Sequence, residues 1–260
     1  MSRHMMARGL VRIALAIAVL DLGSATASAG GCEDRRILGA SYVVCKFDPA
    51  LDDLRLFWQR GNGRPFRTFD ALSNALSGEG RMLLFAINGG MYERDFSPVG
   101  LHIENGRTLS GLNTKTVKGR PSQIPNFYKK PNGVFYWGDG RAGVLESGQF
   151  QAQKPGAAFA TQSGPMLVVE GVIHPAFLKK SSDFKPRNGV GVAPDGSVYF
   201  VMTNGPVSFY DFARVFRDGL GVQNALFLDG GWAPGLYAPE LKRNDRPGHG
   251  GYGPIIAVVR

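Results

Sequence analysis

Asp229 closes a run of apolar residues, Ala225-Leu226-Phe227-Leu228, and is followed by Gly230 and Gly231. Four apolar residues in a row are the pattern of a strand buried on both faces. An acid at the end of such a strand is held by the sheet while its carboxyl stays reachable from the loop side, as a general base or a charge stabiliser must be. The run from Arg81 to Ile87 stops in the same way, at Asn88-Gly89-Gly90. If adjacent, two strands that end in an amide or acid plus Gly-Gly would build one pocket floored by backbone N–H groups, suited to an anionic oxygen. Ser163, Arg187 and Asn204 also fall at predicted strand ends, and the planar fork of Arg187 could hold phosphate bidentately. Taken singly, Asp229-Gly230 also reads as a turn and Arg187 as half of a surface ion pair.

Several chemistries are disfavoured. His102, His174 and His249 have no ligand-type spacing, so neither a metal nor a cofactor is expected. Thr161-Gln162-Ser163-Gly164-Pro165 offers a hydroxyl but not the Gly-x-Ser-x-Gly elbow of an α/β-hydrolase. The glycine patterns of dinucleotide and nucleotide phosphate sites are missing as well.

The elements that must carry these residues are mainly hairpins. Asn105-Gly106, Asp139-Gly140, Glu170-Gly171 and Pro194-Asp195-Gly196 each separate two β-type runs. Strands are also expected around Tyr42–Val44, Leu54–Trp58 and Ile255–Val259. One helix starts at an N-cap, Thr68, and ends by Gly78; another is capped by Ser208, with Asp211 as its capping-box partner, and stops at Gly219. The residues from Trp232 to Gly253 read as one long glycine-rich loop, and residues 111–130 as an exposed basic loop. The fold class that follows is α+β, a mainly antiparallel sheet core built from hairpins with a few packed helices.

Residues 1–29 read as a secretory signal: Arg3, Arg8 and Arg12 precede an apolar run from Ile13 to Leu20, and Ala27-Ser28-Ala29 is a small-x-small cleavage pattern. Residues 30–260 are then a single domain delivered to the periplasm or secreted, with no stretch long enough for stable membrane insertion. The only cysteines, Cys32 and Cys45, are expected to pair in an oxidising compartment. The formal charge of +9 falls to near +7 without the leader; it favours anionic partners such as phosphate-bearing glycans or a membrane surface, and export argues against nucleic acid.

Seven segments carry a resemblance in order: Asn88-Gly89-Gly90-Met91-Tyr92, Pro98-Val99-Gly100-Leu101, Lys130 to Phe135, Ala160 to Pro165, Arg187-Asn188-Gly189-Val190-Gly191, Phe209 to Ala213 and Ala225 to Gly230. From about Tyr42 to Val259 the chain resembles the phosphodiester glycosidase family, the domain family of the mannose-6-phosphate uncovering enzyme, and within it the small exported bacterial branch. The resemblance implies hydrolysis of a sugar-1-phosphodiester, in envelope or exopolysaccharide processing, without a cofactor. It places Asn88, Ser163, Arg187 and Asp229 at the pocket as catalytic groups. Gly89, Gly90, Thr161, Gln162, Asn204, Gly230, Gly231 and Trp232 are the expected substrate-binding positions. Glu93, Asp95 or Glu104 is the available partner if a second carboxylate takes part. Where many relatives continue Asp-Gly-Gly with serine, this chain has Trp232-Ala233, which removes a hydroxyl and offers an indole for sugar stacking. The reading from another class is a non-catalytic glycan or cell-wall binding protein that keeps the pocket; a metal-dependent phosphodiesterase cutting at phosphorus is a third.

Overall fold

The structure is a computed structural model that describes Met1, residues 30–120 and residues 122–260; apart from Met1 the expected leader lies outside the described residues. Three antiparallel sheets make up the molecule. The largest has seven strands in the order β1 (Gly31–Ile37), β2 (Ala40–Phe47), β13 (Val198–Thr203), β12 (Arg187–Val192), β14 (Asn224–Gly230), β10 (Met166–Val169) and β11 (Val172–Ile173). A second has five, β16 (Arg243–Asn244), β15 (Leu236–Ala238), β4 (Leu83–Asn88), β17 (Ile255–Val259) and β3 (Asp53–Phe57). The third is β6 (Arg107–Ser110), β5 (His102–Glu104), β9 (Phe159–Ser163), β7 (Gly133–Gly138) and β8 (Arg141–Glu146). The four turn signatures each close a hairpin, β5–β6, β7–β8, β10–β11 and β12–β13, and the α+β class stands.

Strand periodicity sorts the side chains into layers. Phe85 and Ile87 of β4, Leu226 and Leu228 of β14, and Phe135 and Trp137 of β7 meet in one central cluster, so all three sheets share a single core. The outward faces are each covered by one helix. Phe69, Leu72 and Leu76 of α1 (Phe69–Gly78) pack on Ala86, Ile255 and Ala257 of the second sheet. Phe150 of α2 (Ser147–Gln153) packs on Val134 and Ala160 of the third. Phe209 and Phe212 of α3 (Phe209–Arg214), with Phe216 in the π-turn that extends it, pack on Ala225 and Phe227 of the largest. The caps match expectation: Thr68 Oγ1 accepts from Ala71 N at 3.1 Å, and Ser208 Oγ accepts from Asp211 N at 3.0 Å.

Cys32 and Cys45 face each other across the β1–β2 ladder and form the expected disulfide. One expectation is corrected. Residues 232–253 are not one loop, because Leu236–Ala238 and Arg243–Asn244 pair as strands against β4 and each other. Strands β2 and β3, close in sequence, belong to different sheets. Strands β4 and β14, which end in the two Gly-Gly turns, are not neighbours in one sheet and approach each other only across the sheet junction.

Candidate active site

The junction is organised by a β-bulge. Asn188 of β12 pairs with Asp229 and Gly189 with Phe227, so Leu228 is an extra residue on β14. A bulge disrupts the ladder locally and re-aims the side chain beyond it, and the polar groups it frees must find other partners. Ser163 Oγ donates to Leu228 O at 2.8 Å, and Asp229 N donates to Asn188 Oδ1 at 2.9 Å. Asn188 then reaches the second sheet, donating through Nδ2 to Asn88 Oδ1 at 2.6 Å. That same oxygen accepts from Gly235 N at 2.9 Å. Asn88 is fully buried, and its Nδ2 has no hydrogen-bond partner. A fully buried amide donor left without a partner is an uncommon and costly arrangement.

Asp229 is half-buried and accepts from Gly230 N at 2.8 Å. The protein crowded around its carboxyl withdraws it from water and pushes its pKa up to about 7, the Gly230 hydrogen bond offsetting only part of the effect. The Tyr92 phenol stands close enough that the Asp229 charge adds to burial in raising its pKa above the ordinary phenol range. It therefore stays protonated. Tyr92 O–H donates to Gly251 O at 2.9 Å, and its oxygen lies 2.6 Å from His249 Nε2. Burial lowers the His249 pKa and keeps the ring neutral, so with the phenol proton on Gly251 the imidazole donates from Nε2. Residues 249–251 thus form a strap over Tyr92. Arg67 supports it, donating from Nε to Gly250 O at 2.9 Å and lying over the Phe96 ring at 4.4 Å.

Several expected site residues are spent on the frame. Arg187 is 1% exposed: Nε donates to Val207 O at 3.0 Å, Nη2 to Asp183 O at 3.0 Å and to Asp183 Oδ2 at 3.3 Å, and the guanidinium lies flat on Phe209 at 3.6 Å. The expected free phosphate fork is corrected to a buried pillar, because those donors are used within the protein. Gln162 is likewise a brace, its Oε1 accepting from Leu101 N and Asn113 N and its Nε2 donating to Asn113 O and Ser147 Oγ. Thr161 Oγ1 donates to Gly89 O at 2.8 Å, tying the third sheet to the Asn88 turn. Asn204 is exposed, and its amide is shared among Asp34, Ser41 and Arg243.

Of the expected floor of backbone N–H groups, three of the four glycine donors are used within the protein. Gly89 N donates to Pro254 O, Gly230 N to Asp229 Oδ1 and Gly231 N to Pro186 O. The glycines serve close approach instead. Gly90 has φ +152°, and a Cβ there would stand 3.0 Å from Thr161 Oγ1; a Cβ on Gly89 would stand 2.9 Å from Ile256. Gly231, at φ +71°, turns the chain into Trp232, whose side chain is open to solvent.

Two of the three candidate partner acids are engaged elsewhere. Glu104 is tied to His102 at 2.6 Å, Asp95 binds Ser97 within its own turn, and Glu93 is exposed. Among the described residues no group of three or more His, Cys, Asp or Glu is placed to hold a metal. Asn188, Tyr92 and His249 were missed as site residues. Asn188 and Tyr92 lie inside two of the recurring motifs, whereas His249 has no signal in the sequence beyond its glycine-rich surroundings.

The phosphodiester glycosidase family model, NAGPA, matches residues 82–257. The chain is 34% identical over 228 residues to the uncharacterized protein YigE of Escherichia coli (strain K12), covering 88% of this chain and 85% of that one. Among solved structures it is similar to the catalytic domain of zebrafish N-acetylglucosamine-1-phosphodiester alpha-N-acetylglucosaminidase, auto-inhibited by its pro-peptide, with a TM-score of 0.57 at 15% identity over 88% of this chain and 81% of that one. A hypothetical protein from Synechocystis gives 0.51 at 15% identity over 88% and 61% of the two chains. At such identities the structures attest the fold.

Proposed function

Because this chain belongs to the phosphodiester glycosidase family, we propose that it hydrolyses a sugar-1-phosphodiester, with Asp229 as general base. The carrying observation is the pairing of a withdrawn carboxyl, pKa about 7, with the open buried donor Asn88 Nδ2 one hydrogen-bonded step away through Asn188. Water attacks the anomeric carbon and gives its proton to the Asp229 carboxylate. The bond from that carbon to the bridging oxygen breaks, and the phosphate leaves with the oxygen on its carrier. A departing phosphate monoester has a second pKa near about 6 and needs little protonation to leave, so one carboxylate suffices. Asn88 Nδ2 holds a phosphate oxygen, Gly89 and Gly90 let the substrate approach the turn, and Trp232 offers a face for the sugar. Arg187, Ser163, Thr161 and Gln162 keep these groups in place. The protein works after export, in the periplasm or outside the cell, on phosphate-bearing glycans of the envelope or exopolysaccharide.

Purified protein incubated with a synthetic N-acetylglucosamine-1-phosphodiester in oxygen-18 water should release free sugar carrying the label, with none in the phosphate. Label in the phosphate would mean cleavage at phosphorus and overturn the mechanism. A base acts only when ionised, so kcat/KM should rise with pH through about 7. Binding without release in wild-type protein would leave the glycan-binding reading.

A further inference from the structure

Two segments beside the Asp229 turn carry exposed apolar side chains, of which the sugar reading above uses only Trp232. Leu178 is 69%, Phe184 54% and Trp232 91% exposed, an unusual disposition for large apolar groups at one rim. They are not on loose ends. Phe177 stacks on Phe209 at 4.7 Å, and Arg187 lies on the same ring at 3.6 Å, so both ends of the 177–187 loop rest on one aromatic. Gly231 N donates to Pro186 O at 3.0 Å, which places Phe184 and Trp232 each within two residues of one hydrogen bond.

Lysines interleave with these side chains. Lys179, Lys180 and Lys185 are exposed on the loop, and Lys129 Nζ lies 5.7 Å from the Phe209 ring. Asp183, the only acid between His174 and Arg187, is already held by Lys185 at 3.0 Å and Arg187 at 3.3 Å. The rim is therefore cationic with apolar tips. A soluble polyanion would use only the charge. A bilayer with anionic headgroups uses both, since each lysine near such a surface contributes about 1 kcal/mol and exposed aromatic and aliphatic tips settle at the boundary between headgroups and acyl chains.

We propose that this rim docks on an anionic lipid surface, turning the Asp229 pocket toward the bilayer so that its substrate is presented from a lipid carrier. The docking stands independently; the carrier rests on the glycosidase reading above.

The test is co-sedimentation of the protein with vesicles of phosphatidylglycerol and phosphatidylcholine, against phosphatidylcholine alone, at increasing salt. Binding to the anionic vesicles should be at least about tenfold tighter and weaken with salt. Of the three tryptophans, Trp137 is buried and Trp58 half-buried, so a blue shift on vesicle addition reports Trp232 entering the boundary. The triple variant Leu178→Ser, Phe184→Ser, Trp232→Ser should lose the shift and at least about tenfold in binding. Lys179→Glu with Lys180→Glu should lose the preference for anionic lipid while keeping the wild-type unfolding temperature and turnover of a soluble substrate. The proposal fails if anionic vesicles do not sediment the protein, if neither variant weakens sedimentation, or if an anionic polysaccharide binds while vesicles give no blue shift. Vesicle binding without turnover of a soluble phosphodiester would sink the glycosidase reading and leave the docking; turnover without vesicle binding would do the reverse.

Discussion

Two groups of polar residues meet at the sheet junction and differ in one respect. Around Arg187, Gln162 and Ser163 the donors named above are matched to protein acceptors; around Asn88, Asp229 and Tyr92 an amide donor is open and a carboxyl is held away from water. A matched network fixes geometry and has little left to give a ligand. An unmatched one is unfavourable in the free protein, and that deficit is recovered when a substrate supplies the missing partner. On this view the first group should affect stability and the second turnover.

The largest expected effect is that of Asp229→Asn, which should cut turnover about a thousandfold with the fold intact. Its stability has a definite sign with pH. The folded carboxyl has a raised pKa, so stability is lost as pH climbs from 3.8 towards about 7. The variant has no such loss: it should match wild type near the lower limit and exceed it by about 2 kcal/mol above the upper one, measured by chemical unfolding. Next, Arg187→Ala should cost about 3 kcal/mol of stability by removing a buried cation from its partners; unchanged stability with only a raised KM would return Arg187 to the substrate. Asn88→Ala strands Gly235 N and Asn188 Nδ2 and should cost about 2 kcal/mol. Asn88→Asp keeps the acceptor but replaces the open donor with an oxygen, so KM should rise and the rising pH limb should move above its wild-type position. The smallest effect belongs to Ser163→Ala, about 1 kcal/mol of stability with kcat nearly unchanged. A collapse of kcat there would erase the distinction between the two groups.

Much of this was legible where the signal is local. Asn105-Gly106 and Asp139-Gly140 specify hairpins by turn chemistry alone, and Leu226 to Asp229 shows a buried strand ending in an acid. The bulge at Leu228 was not legible, because one residue of register depends on the neighbouring strand. Nor was the role of Arg187: an arginine at a strand end looks the same in sequence whether its fork faces a phosphate or the Phe209 ring. Asn188 escaped for the same reason, since its bridge joins residues 41 and 100 positions away.

Strand β17 lies between β3 and β4, pairing Ile255 with both Phe57 and Asn88. The second sheet therefore cannot close around Asn88 until residues 255–259 are present, and a partly made chain lacks the donor's seat altogether. Assembly of the pocket is consequently a late event dominated by distant pairings, the slow kind of folding.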